Sequence, residues 1–99
     1  MNNTLTGAAN NLQRANANTN RAVENISSGN TSAANRNFVT ASNQLTNAQR
    51  ALQNQAAIAK NLGMSGLANK LNNAAKLAGN GEALKALKTL KNTAKGLGQ

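Results

Sequence analysis

The chain contains no cysteine, histidine, aspartate, proline, tryptophan or tyrosine, and Phe38 is its only aromatic residue. Each absence excludes something. Without cysteine there is no disulfide frame and no thiol chemistry, and redox usage says nothing about compartment. Without proline, long helices can run uninterrupted. With Glu24 and Glu82 as the only carboxylates, general acid–base catalysis, metal binding by His, Cys or paired carboxylates, and the familiar nucleophilic triads all lack their parts. Serine and threonine are plentiful, but no base stands ready to activate them. The expectation is a protein that is not an enzyme, with no cofactor, no metal and no small-molecule substrate. No apolar run approaches the roughly 20 residues needed to span a bilayer. The N-terminus also lacks the basic start and apolar core of an ordinary secretory signal peptide.

What is present is asparagine and alanine, 20 of each among 99 residues. Asparagine is a poor helix-interior residue because its side chain competes for nearby backbone groups. An AT-rich genome would favour it, but would also raise Ile, Phe and Tyr, and the chain has two, one and none of these. The asparagines therefore read as a selected, uncharged, soluble surface. Alanine buries little area per residue, so a single domain of this size has a thin core. Such a chain is expected to assemble with copies of itself or to order on a partner.

Helical periodicity runs throughout. Between Asn35 and Leu62, the residues Phe38, Ala41, Leu45, Ala48, Leu52, Ala56 and Ala59 recur at spacings of three and four and fall in one narrow stripe. This reads as the assembly seam of a central helix, with alanines that let a partner approach closely. Val39, Ala51, Ile58 and Leu62 lie off the stripe and remain for contacts with copies. A first helix, starting near Thr4 or Thr6, carries Leu5, Ala8, Leu12, Ala15, Thr19, Ala22 and Ile26 in the same rhythm, with Val23 beside them. Ser27-Ser28-Gly29-Asn30 ends it, Gly29 suits a left-handed cap, and Thr31 or Ser32 is placed to cap the central helix. A break this short folds the two helices into an antiparallel hairpin.

Gly63-Met64-Ser65-Gly66 and Gly79-Asn80-Gly81 punctuate the remainder of the chain. Ser65 is a candidate cap for a segment lined by Leu67, Leu71, Ala74 and Ala78. A last helix carries Ala83, Leu87, Leu90, Ala94 and Leu97, with Leu84 at its edge. The fold class is all-α: an Asn/Ala-rich helical hairpin over residues 1–62, then one or two shorter helices in a Lys-rich region over 63–99. Together they form one thin, Ala-rich domain expected to assemble.

Charge divides along the same line. Residues 1–49 carry three arginines against Glu24, net +2, while residues 50–99 carry eight cations against Glu82, net +7. Lys85, Lys88, Lys91 and Lys95 are the candidate polyanion-binding or lumen-facing residues, with Lys91 at the border of the apolar face.

The charge-free, Asn- and Thr-rich residues 1–13 resemble the N-terminal export signals of type III secretion pilins and needle subunits. Ala22-Val23-Glu24-Asn25-Ile26-Ser27-Ser28-Gly29 is similar to the end of flagellin's N-terminal helix, where a Glu precedes an apolar residue, two Ser and a Gly. The chain lacks the Pro-containing turn of needle subunits, and Asn30-Thr31-Ser32 stand where flagellin continues with acidic residues. Plant-pathogen type III pilins, poor in aromatics and cysteine, match its composition better. The resemblance implies a filament exported without a cleaved signal, extracellular or at the cell surface, with the C-terminal helix facing a secretion channel.

Charge points to two other classes. A sequence pI near 11.6 suits a cytoplasmic, sequence-independent nucleic-acid-binding protein, including a filamentous capsid, although stacking aromatics are missing. Ala83 to Leu97 also reads as a cationic amphipathic helix for an anionic membrane surface.

Overall fold

A computed structural model describes residues 2–96, with side chains described for residues 3–93. Four helices make up the fold: α1 (Asn2–Ser27), α2 (Thr31–Asn61), α3 (Ser65–Gly79) and α4 (Ala83–Gly96). No strand occurs among the described residues. The expected all-α hairpin with two shorter helices is the observed architecture.

All three breaks use one geometry. Gly29, Gly63 and Gly81 take φ of 81°, 79° and 84°, a region open to glycine at no steric cost. Each glycine N–H donates to the carbonyl three residues back, from Gly29 to Ile26 at 3.0 Å, Gly63 to Lys60 at 3.0 Å and Gly81 to Ala78 at 3.1 Å. The next residue's N–H reaches five back, from Asn30 to Asn25 at 2.7 Å, Met64 to Ala59 at 2.8 Å and Glu82 to Leu77 at 2.9 Å. These are Schellman motifs. The residue after the glycine then opens the next helix, its carbonyl accepting from Ala34, Ala68 or Ala86 at 3.0–3.1 Å.

That arrangement corrects the expected caps. Asn30, not Thr31 or Ser32, caps α2, its side-chain oxygen accepting from the Ala33 N–H at 3.3 Å. Met64 holds the corresponding place before α3 with no side-chain cap, and Ser65 is already helical. The glycine dictates the cap position, whatever hydroxyl comes next. At the other end, α1 begins at Asn2, ahead of Thr4 and Thr6.

The short turns force an up-down-up-down ring in which α1 packs on α2, α2 on α3, α3 on α4, and α4 back on α1. The lengths do not match. The hairpin helices have 26 and 31 residues, whereas α3 and α4 have 15 and 14. The α3–α4 pair therefore covers one half of the hairpin, and the molecule is a rod of 51 × 20 × 20 Å.

The core obeys this division. At the covered end Leu5, Leu12, Leu52, Leu71, Leu87 and Leu90 pack among alanines from all four helices. Leu12, Leu52 and Leu71 are the largest fully buried side chains. Nearer the middle Ala15, Ala41 and Ala83 meet beside Leu45. Beyond them, the buried apolar residues of the uncovered arm are Ala22 and Ala34.

Of the seam, Ala41, Ala48, Leu52, Ala56 and Ala59 are buried, and Leu45 is half-buried against the core. The structure places these residues between helices of the same chain. Phe38 departs from the expected packed stripe and is exposed. The α3–α4 turn stops beside it, so no helix continues over it. Ile26 is likewise exposed rather than packed in the stripe of α1.

The seam also has a member that composition concealed. Ala34, Ala41, Ala48 and Gln55 are buried at a strict spacing of seven, and the Gln55 Oε1 is buried without a partner. Two amide pairs clasp the hairpin's flank: Asn18 Nδ2 donates to Gln44 Oε1 at 3.0 Å, and Asn25 Nδ2 to Asn37 Oδ1 at 2.7 Å. These pairs lie seven residues apart on both helices, where coiled coils more often place ion pairs. Part of the asparagine surplus thus holds the hairpin together without charge.

Candidate functional site

A groove runs along the hairpin on the flank that α3 and α4 cover. In the covered half, Ala56 and Ala59 of α2 and Ala8 and Leu12 of α1 meet Ala75, Ala78, Leu87 and Leu90 in one core. The α3–α4 turn ends at a notch lined by Thr19, Phe38, Ser42, Gln49 and Gly79–Gly81. Gly79 fits so closely that a Cβ there would lie 2.5 Å from the Gln49 amide nitrogen.

Past the notch the groove continues with nothing in it. Val23, Ile26 and Phe38 line the open half, between 41% and 54% exposed, and Val39, 62% exposed, lies about 100° round α2 from Phe38. Helical spacing carries the α4-facing stripe of α1 from Asn16 and Thr19 to Val23 and Ile26, and the corresponding stripe of α2 from Gln49, Leu45 and Ser42 to Phe38. At about 200 Å² for a large side chain, these three exposures leave on the order of 300 Å² of apolar surface uncovered. That falls within the range of the largest patch on a typical monomer, which is often functional.

The opposite pole has its own patch. Ile58, Leu62 and Met64, at the end of α2 and in the turn after it, are 40–66% exposed. Of the residues expected off the main stripe, Val39, Ile58 and Leu62 are exposed, while Ala51 is partly buried against the core.

The lysines coat the covered end. Lys60, Lys70, Lys76, Lys85, Lys88 and Lys91 are all exposed. Lys85 is not free, because its Nζ donates to Glu82 Oε1 at 3.1 Å across one turn. Exposed pairs of this kind contribute little to stability, but they compete for the cation. Lys95 belongs to α4, and its side chain lies outside the described residues, as do those of Ala94 and Leu97. Asn73, Lys76, Leu77, Asn80 and Thr89 line a shallow depression between α3 and α4.

Sequence reasoning placed Val23 and Ile26 with the packed rhythm of α1 and did not join them to Phe38. The usable signal was length: two long helices succeeded by two of half their size cannot all be covered. No described helix is long and apolar enough to cross a membrane. No protein-family model, curated protein or solved structure matches this chain.

Proposed function

We propose that this protein is the structural subunit of a self-assembling helical filament, of the kind that type III secretion pili and needles exemplify. The observation that carries the reading is the presence of apolar patches at both poles of a narrow rod, Val23, Ile26, Phe38 and Val39 at one and Ile58, Leu62 and Met64 at the other. A subunit adhesive at two opposite ends grows into an open chain unless its contacts close into a ring. The thin alanine core supports the reading further, since burial between copies adds what the monomer lacks. Charge decides the conditions. The lysine-coated end resists close approach until salt screens it or a polyanion covers it. Export to the cell surface or beyond belongs to this same proposal.

The test is light scattering and negative-stain electron microscopy of the purified protein at rising ionic strength, beside a variant carrying Ile58→Asn and Leu62→Asn. The reading expects salt-promoted filaments that the double variant does not form. A wild-type chain that forms no filaments at any salt, with or without a polyanion, would contradict it.

A further inference from the structure

We infer that the open half of the hairpin groove is the seat of a second copy of this chain, whose own hairpin tip lies antiparallel in it. The inference identifies the first contact within the assembly proposed above and rests partly on that reading.

The fold itself shows what fits the groove. Its covered half is filled by a two-helix hairpin, α3–α4, with helices of 15 and 14 residues. The arm past the notch, residues 20–40, is also a two-helix hairpin, with 8 residues of α1 and 10 of α2, or roughly 12–15 Å at 1.5 Å per residue. A second arm is therefore an occupant of the same kind, and it is as long as the open half that it fills. Two arms laid tip to base complete a second four-helix section, and each copy gives and receives the same surface, as a two-fold contact requires.

Three further features agree. Val23, Ile26 and Phe38 supply over a third of the roughly 800 Å² per partner of a standard interface, and the small residues Thr19 and Ser42 at the edge of the open half let a helix approach closely. The arm carries Arg21 and Arg36 against Glu24, a net +1, while all seven lysines lie from Lys60 onward. Tip-to-base pairing of the arms thus sends the lysine ends to opposite poles, the arrangement with least repulsion for a chain of net charge +9. In this overlap the Ser28–Asn30 turn of one copy enters the notch beside Phe38 and Gly79–Gly81 of the other, and Val23, near mid-arm, lies close to the two-fold axis.

The absence of cysteine makes a clean test possible. Val23→Cys and, separately, Ile58→Cys are oxidised at micromolar concentration in low salt, and the disulfide-linked dimer is measured. A cysteine near the two-fold meets its own copy, so V23C should cross-link many-fold more than I58C. Wild-type protein should sediment as a dimer with little dependence on salt, and an Ile26→Asn/Phe38→Asn variant as a monomer with nearly unchanged helix content. Equal cross-linking at the two positions, preferential cross-linking at I58C, or a wild-type monomer at high concentration would overturn the inference. V23C dimers without filaments would sink the filament reading alone. Filaments cross-linked through I58C but not V23C would sink the tip contact alone.

Discussion

Truncating Leu52 should unfold much of this protein, whereas truncating the only aromatic residue should not. Leu52 is fully buried among Leu12, Leu71 and alanines of every helix. Leu52→Ala removes about three methylene equivalents, or about 2.4 kcal/mol of transfer free energy. The neighbours are mostly alanines, whose short side chains cannot swing into the gap, so a cavity term adds about 1 kcal/mol more. The expected loss is about 3–4 kcal/mol, a large part of the 5 or so available to a marginal domain. At this size it lowers the melting midpoint by roughly 15–25 °C. Phe38, in contrast, is 41% exposed and lies beyond the four-helix section. Phe38→Ala should cost about 1 kcal/mol. Urea melts monitored by circular dichroism, on protein dilute enough to be unassociated, decide the matter. A Phe38→Ala loss equal to that of Leu52→Ala would refute the division into a stabilising half and an open half.

Gln55→Leu should stabilise the fold by about 1 kcal/mol, because it replaces an orphaned buried oxygen with an apolar group of similar size; a higher urea midpoint with an unchanged slope checks it. A double-mutant cycle on Asn18→Ala and Gln44→Ala should give a coupling of about 0.5–1 kcal/mol for the amide pair at 3.0 Å. Zero coupling would mean the amides merely decorate the surface. Replacing Lys85, Lys88, Lys91 and Lys95 together by Gln should abolish retention on heparin or anionic vesicles without changing helix content, at roughly 1 kcal/mol per lysine near such a surface. Lys85 alone should matter least, since Glu82 already holds it.

Helix positions and breaks were legible because their determinants are local. Three-four spacing marks the faces, and a glycine at positive φ needs no tertiary information to end a helix. The caps misled, because Asn30 and Met64 take their places from the preceding glycine rather than from hydroxyl chemistry. Gln55 was hidden because an amide reads as surface, although its spacing of seven from Ala48 already placed it inside. The open groove was illegible for a different reason. Whether Phe38 is covered depends on how far α3 and α4 reach along the hairpin, which is a tertiary fact about lengths and turns. The stripe that holds Phe38 has the same spacing whether or not a helix lies on it.

The central claim is that residues 20–40 form an open two-helix arm that copies of the chain cover. Backbone hydrogen exchange, measured on dilute protein and again under assembling conditions, tests it directly. In the dilute protein the amides of α1 beyond Thr19 and of α2 before Ala41 should exchange far faster than those around Leu12, Leu52 and Leu71, and assembly should slow the arm by at least tenfold. Uniform protection along both long helices in the dilute state, or an arm whose exchange is unchanged by assembly, would contradict it.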